Sequence, residues 1–247
     1  LADWTLSGQA TTDLRLSIPL RGGEPDIDVG SSFTQLTLAS DKRNLSFSKL
    51  AGGVGYQNDK GLYSSAIKGQ FFGYPLTAEI STSGSGVQEK IRTRINSTVR
   101  FDQLRKWSGV ELLALAEGVQ PYQADLDICI KADCSGLTVR SDLAQSQLNL
   151  IAPFSKAKGA VKPLLLRTDF SSPQTFNIAL GEKLRAWLQL KDDRLSKGAL
   201  VLGGQEAKPS SYAGLSIQGE LDRLDYEQLS MMLSKGGILA DGQTANA

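Results

Sequence analysis

Val87-Gln-Glu-Lys-Ile-Arg-Thr-Arg-Ile-Asn-Ser-Thr-Val-Arg-Phe101 is the stretch that decides the fold. Val87, Ile91, Ile95, Val99 and Phe101 fall on one parity, together with Thr93 and Ser97. Lys90, Arg92, Arg94, Asn96 and Arg100 fall on the other. Successive side chains of a strand point to opposite sides of the sheet, so this alternation marks a strand with one buried face. At ~3.3 Å per residue it would run about 50 Å, longer than a globular sandwich uses. The stretch predicts a wide or elongated sheet.

The same pattern extends towards the N-terminus. Leu14, Leu16, Ile18 and Leu20 alternate with Asp13, Arg15 and Ser17. Further strands carry Ile27 and Val29, Leu36 and Leu38, Leu45 and Phe47, and Leu62. Ile67, Gly69 and Phe71 follow, then Leu76, Ala78 and Ile80. Turns fall at Arg21–Asp26, Asp41–Asn44, Asn58–Gly61 and Ser83–Gly86, which makes a meander of antiparallel strands. Parity shifts between Phe33 and Leu36, between Phe47 and Leu50, and between Leu62 and Ile67. One inserted residue per shift would restore the face, so β-bulges and strong curvature are expected. Pro19 inside a strand points to an edge or a bulge.

Towards the C-terminus, Tyr122, Ala124, Leu126 and Ile128 form a strand, followed by Leu137, Val139 and Leu143. Residues 152–163 (APFSKAKGAVKP) read as a polar loop. A second run of strands covers Leu164–Phe170, Phe176–Leu180, Leu184–Leu190, Leu195–Leu202 and Leu215–Leu221. Helical periodicity appears in only two places. Leu104 and Trp107 give one turn, and Ser108-Gly109-Val110-Glu111 then reads as a capping box launching a helix from Val110 to Glu117. The second helix is expected over Tyr226–Lys235. Val99-Arg-Phe-Asp-Gln-Leu104 corresponds to Leu224-Asp-Tyr-Glu-Gln-Leu229, each a strand running into a helix. The expected architecture is mainly β: a long curved antiparallel sheet with two short α-helices. It divides into residues 1–118 and 119–247, each a unit ending in a helix.

Composition narrows the chemistry. The 247 residues carry a net charge of +1, no footprint for a polyanion such as nucleic acid. The absence of histidine removes Ser-His-Asp and Cys-His catalysis and histidine-ligated metals. No apolar run is long enough for a transmembrane helix. A start at Leu1-Ala2-Asp3-Trp4 and a small polar tail read as a fragment of a longer polypeptide.

Catalytic motifs fail on inspection. Gly53-Val54-Gly55 lacks the third glycine of a dinucleotide loop, and Ser83–Gly86 is not a nucleophile elbow. Asp192-Asp193 are adjacent, so their carboxylates point apart as a solvated turn. Lys156, Lys158 and Lys162 read as a solvated basic loop. No catalytic residue, metal site or cofactor is assigned. Cys129 and Cys134 flank a turn, and a hairpin register that pairs them also aligns Leu126 with Leu137 and Ala124 with Val139. Lys131-Ala132 is not a favoured two-residue turn, so a disulfide and two outward free thiols both stay open. Gly52, Gly69, Thr93 and Ser97 interrupt the inner rows as though no second layer fills the facing space. Such a sheet must roll up, dimerise or hold something apolar.

Four local patterns then occur in one order. They are Leu45-Ser-Phe-Ser-Lys-Leu50 with Gly69-Gln-Phe-Phe-Gly-Tyr-Pro-Leu76, and Gly118-Val-Gln-Pro-Tyr122 running to Ile128. Val139-Arg-Ser-Asp-Leu143 leading to Leu150, Pro153 and Lys156 is the third, and Gly214-Leu-Ser-Ile-Gln-Gly219 with Leu224-Asp-Tyr226 the fourth. In these the chain resembles the YhdP family of AsmA-like, TamB-related Gram-negative envelope proteins. In the third pattern the family tends to carry a further proline where this chain has Ile151-Ala152.

The resemblance implies a periplasmic segment of a repeating, trough-like β-groove, anchored in the inner membrane by a helix outside this fragment. It implies a bridge that carries phospholipid between inner and outer membranes, with acyl chains on the apolar row and head groups in water. It implies no enzyme; the expected partners are phospholipid acyl chains, the membranes reached through outside regions, and other envelope proteins. Leu14, Leu16, Ile18, Leu45, Phe47, Phe71, Ile91, Ile95, Val99, Leu126, Ile128, Leu137 and Val139 are expected to line the groove. The alternative is a structural or protein-binding envelope module whose sheet closes on itself and carries nothing.

Overall fold

Alternation becomes strand through most of the described residues. The computed structural model describes residues 3–191, 194–220 and 227, and places fifteen strands in one open, mixed sheet. The first seven strands are β1 (Thr5–Ser17), β2 (Asp26–Ser40), β3 (Leu45–Gln57), β4 (Gly61–Ser64), β5 (Ile67–Phe71), β6 (Tyr74–Ser83) and β7 (Lys90–Arg100). Helix α1 (Phe101–Ser108) follows, then β8 (Ala116–Cys129), β9 (Gly136–Ser141) and β10 (Ser146–Leu148). The rest are β11 (Leu164–Asp169), β12 (Gln174–Leu180), β13 (Leu184–Lys191), β14 (Arg194–Leu202) and β15 (Gly214–Gly219). Neighbours follow chain order from β1 to β15, except that β4 pairs only with β3 and β10 only with β8. The chain packs as two compact units, Leu1–Thr98 with Gln123–Leu137 and Val99–Tyr122 with Thr138–Ala247.

The first unit is built on aligned bulges. Register slips occur at Ser7/Gln9 on β1, at Phe33/Leu36 on β2 and at Ser48/Ala51 on β3. Gln35 and Lys49 take φ of 55° and 51° there, and Gly8 takes 127°. A Cβ on Gly8 would lie 2.9 Å from the Leu36 Cα, so only glycine lets β1 approach β2 at this point. The inserted residues return Leu36 and Leu50 to the same side as Phe33 and Phe47. With Ile67, Leu76 and Ala78 they form the buried core of this unit. The shift between Leu62 and Ile67 is different: the strand breaks there into β4 and β5.

Several expectations are corrected. The deciding strand is shorter than Val87–Phe101, because residues 86–88 form a 3-10 turn and Phe101 already opens α1. β1 ends at Ser17, so Ile18, Pro19 and Leu20 lie beyond it. The helix occupies 101–108, not 110–117. Ser108 ends it, and Gly109 caps it in a left-handed conformation (φ 68°) with its N–H on the Arg105 carbonyl. Residues 111–115 make a 3-10 turn and β8 starts at Ala116. The sheet is not wholly antiparallel, since β15 runs parallel to β14 after the return crossing over residues 203–213. The second helix (226–235), apart from Glu227, the second repeat copy and Asp192-Asp193 all lie outside the described residues.

Gly52, at φ 153°, sits where a Cβ would meet the Ile67 Cα at 3.0 Å, whereas Gly30 has nothing within 4 Å. Gly52→Ala is therefore expected to lose about 2 kcal/mol in urea unfolding. Gly30→Ala should stay within about 0.5 kcal/mol of the parent or gain slightly. Equal effects would show that close strand approach at the bulges does not hold the fold.

Candidate functional site

In the first unit, pairing collects the apolar residues on one side. Leu14 lies opposite Val29, Val29 opposite Tyr56, and Tyr56 opposite Leu62. Leu38, Phe47, Phe71 and Tyr74 form another such row. Ala78 faces Ile95, and Thr82 faces Ile91. Side chains directly opposite across a ladder share a face. The centre of this face is buried core, but its margin is open: Leu14 is 63% and Leu16 52% exposed.

The second unit repeats the arrangement. Leu164, Leu180, Leu184 and Leu202 are successive partners across β11 to β14. Leu166, Ile178, Ala186, Leu200 and Ile217 form the next row, and Phe176, Leu188, Gly198 and Leu215 the one after. Of the side chains in these rows Ala186 alone is buried; Ile217 is 47% exposed. Leu164 and Leu180 pack against the second core of Phe101, Leu143 and Leu148. The opposite face differs in kind. Trp187, Ala199 and Val201 are buried there, and an open cavity of about 1560 Å³ is lined by Ser216, Gln218 and the residue 203–212 connection.

The expected lining residues are distributed unevenly. Leu14 and Leu16 stand on the open margin, and Ile18 is exposed beyond the end of β1. Leu45 opens β3, two residues from Phe47. Phe47 and Ile95 pack on the first core, and Phe71 stacks on Phe47 with ring centroids 4.7 Å apart. Ile91 is half-buried on β7, while Val99, on the same strand, belongs to the second unit. Leu126 and Ile128 alternate on β8, Leu137 and Val139 on β9. The rows of the second unit were missing from that expectation. Their period-two signal is in the sequence, but which parity joins which row depends on pairing.

Small residues in the inner rows do not mark empty space. A Cβ on Gly69 would collide with the Leu50 side chain, and one on Gly198 with Leu215 and Leu188. Neighbouring leucines lean over these glycines within the sheet. Ser97 is buried and donates its hydroxyl to the Pro75 carbonyl at 3.0 Å.

The reverse side of the first unit is polar and paired. The Arg92 guanidinium donates to both Asp127 carboxylate oxygens, at 2.6 and 2.7 Å, and Lys90 approaches the same carboxylate at 3.7 Å. Arg94 donates to the buried Asp125 at 2.9 Å. The Ile130 N–H reaches the Glu89 carbonyl in the same antiparallel stagger. That stagger sets Ile91 across from Ile128 and Ile95 across from Ala124. Hydrogen bonding from Arg92, with its positive charge, holds the Asp127 carboxyl below the usual Asp range despite partial burial. At the end of β8, Cys129 is joined to Cys134 as a disulfide, with Cα atoms 5.6 Å apart, and the Cys129 N–H donates to the Ser135 hydroxyl.

Two of the three loop lysines of the second unit are not solvated. Lys156 is buried and donates to the Ser146 and Ala157 carbonyls, and burial lowers its pKa. Lys162 donates to the carbonyls of Pro153, Phe154 and Ser155, with its pKa lowered by burial first and by Lys156 second. These ammonium groups close the loop over Leu148, Ile151 and Phe154; only Lys158 is left exposed. Buried Gln120 adds a bond to Asp142 and accepts one from Gln145 N–H. Among the described residues no group of three or more Cys, Asp or Glu side chains fits a metal ion, and no helix is long and apolar enough to cross a membrane.

A family model described as YhdP protein matches residues 1–246. No curated protein and no solved structure matches the chain.

The Arg92–Asp127 pair generates a pH dependence with a definite sign. A carboxyl whose folded pKa lies below the ordinary value of about 4 contributes stability above that value and loses it as pH falls through the folded pKa. Asp127→Asn should therefore lower stability by about 1 kcal/mol at pH 7, and the difference from the parent should shrink below about pH 4. A constant difference from pH 7 to pH 2 would exclude this pair as a lock between β7 and β8.

Proposed function

The chain belongs to the YhdP family, and from that membership we propose that it is a segment of a bridge-like lipid transfer protein of the Gram-negative envelope. In this reading the segment lies in the periplasm and carries phospholipid along its apolar face between the inner and outer membranes. One observation supports it above all: each compact unit sets several apolar rows on a single side of an open sheet, and the second unit's rows and the margin of the first unit's face stay partly exposed. Apolar surface of this extent is expensive to leave in water, and it fits a ligand that is itself apolar, continuous and replaceable.

The mechanism is physical and the segment is not an enzyme. Acyl chains lie across the leucine and isoleucine rows, while head groups remain in water at the strand ends. Each step gains only partial burial, since the rows lie on an open sheet and not in a closed pocket. Weak binding at each step lets lipid move on. The alternative, a module closed on itself, would bury these rows against protein, and their exposure supports the open reading.

Mass spectrometry of lipids extracted from the purified chain is expected to find phospholipid bound in near-stoichiometric amount. Replacing Ile91 and Leu188 by Glu should cut that amount by about tenfold, because a carboxylate cannot lie against acyl chains. Circular dichroism should show the sheet retained, since both sites are half-exposed. A folded, lipid-free parent protein, or a folded double variant carrying undiminished lipid, would overturn the proposal.

A further inference from the structure

One end of the first unit is aromatic. Trp4 precedes β1, Phe47 lies near the start of β3, Phe71 ends β5, Phe72 occupies the β5–β6 turn and Tyr74 opens β6. These positions all belong to the same end of the antiparallel strands. Their rings meet in sequence: Trp4 stacks on Phe47 at 6.2 Å, Phe47 stacks on Phe71 at 4.7 Å, and Phe72 lies tilted against Phe71 at 4.3 Å between centroids. Moving inward from this end, the face becomes aliphatic through Leu36, Leu50 and Val54. The order runs from aromatic at the water's edge to aliphatic within.

Phe72 is the unexpected member. Phe71 and Tyr74 pair across a two-residue turn, and Phe72 and Gly73 both have positive φ, 49° and 82°. That turn favours Asn, Asp or Gly at its first position, because a Cβ is strained in the left-handed region. Phenylalanine has no conformational reason to be there. What it adds is a fourth ring, half-exposed and in contact with Phe71. Strain kept for the sake of a side chain points to a role for that side chain. At the same end, the Asp41–Asn44 turn holds Lys42, 75% exposed and paired only loosely with Asp3 at 3.4 Å.

We propose that the Trp4–Phe47–Phe71–Phe72 stack is a rail for the glycerol-ester region of phospholipid, holding that level of the lipid at the strand ends while acyl chains lie on the aliphatic rows. Aromatic rings suit such a boundary: their faces meet hydrocarbon and their weakly positive edges meet ester oxygens. An ammonium such as Lys42 meets the phosphate just beyond. The inference rests on the reading of the apolar face as a phospholipid surface. It adds a fixed orientation, with every lipid crossing this unit with its head group on the same side.

The test places a photo-reactive benzophenone amino acid at position 72 or, in a second variant, at position 95. Each protein is illuminated with vesicles of phosphatidylethanolamine and phosphatidylglycerol, and the adducts are mapped by mass spectrometry. Position 72 should label glycerol or head-group carbons, and position 95 acyl carbons. Acyl labelling from 72, or none, alongside acyl labelling from 95 overturns the rail and leaves the lipid surface standing. No lipid adduct from 95 overturns the lipid surface and the rail with it. A second variant, Phe72→Asn, gives the turn its preferred Asn-Gly pair. Its melting temperature should rise by a few degrees while bound phospholipid falls about threefold. A lower melting temperature, or unchanged lipid, would make Phe72 a structural residue and overturn the proposal.

Discussion

Register governs this protein. A strand has two faces, and a slip of one residue moves every apolar side chain to the wrong one. Phe33 and Leu36 are three residues apart, as are Phe47 and Leu50, so a regular strand would set each pair on opposite faces. The bulges at Gln35 and Lys49 return them to one face, and the core of the first unit exists because they do. Gly8 and Gly52 belong to the same device, giving neighbouring backbones room where the ladder steps.

An open sheet holds its register partly from its polar side. In the first unit that side carries Arg92 with Asp127 and Arg94 with Asp125, cross-strand pairs whose spacing matches only one alignment of β7 and β8. The Cys129–Cys134 bond closes the chain just beyond, so β8 is pinned both along its length and at its end. In the second unit the device is different. Lys156 and Lys162 spend their ammonium donors on loop carbonyls, which draws residues 149–163 down onto Leu148 and Phe101.

The strands were largely legible because alternation is a local property. Residues 164–169, 174–180, 184–191 and 214–219 carry it plainly, and each is a strand within a residue or two of its apolar run. Where two local signals competed, the tertiary context chose. Ser108-x-x-Glu111 has the form of a helix start, yet Phe101 and Leu115 are both buried, and packing them leaves the intervening glycine as the end of one helix and not the approach to another. The lysine loop misled for a similar reason. Charge predicts solvation, but an ammonium that replaces water with backbone carbonyls can be buried. The glycines at 52 and 69 looked like gaps; at 52 a neighbouring backbone comes close, and at 69 the Leu50 side chain leans over.

Sequence alone determined that this chain is a sheet with one apolar side, without histidine chemistry, and with the motifs of its family. Those are properties of neighbours in the chain, and period-two alternation records them directly. Tertiary structure alone decided which alternating rows adjoin. Leu184 meets Leu202, and Phe47 meets Phe71, only because hydrogen-bonded ladders align residues far apart in the chain. It also decided that the last strand turns parallel and that an aromatic edge gathers Trp4 with Phe72. Pairing between distant strands is settled by the joint energy of many contacts, and no single strand carries that information in its own residues.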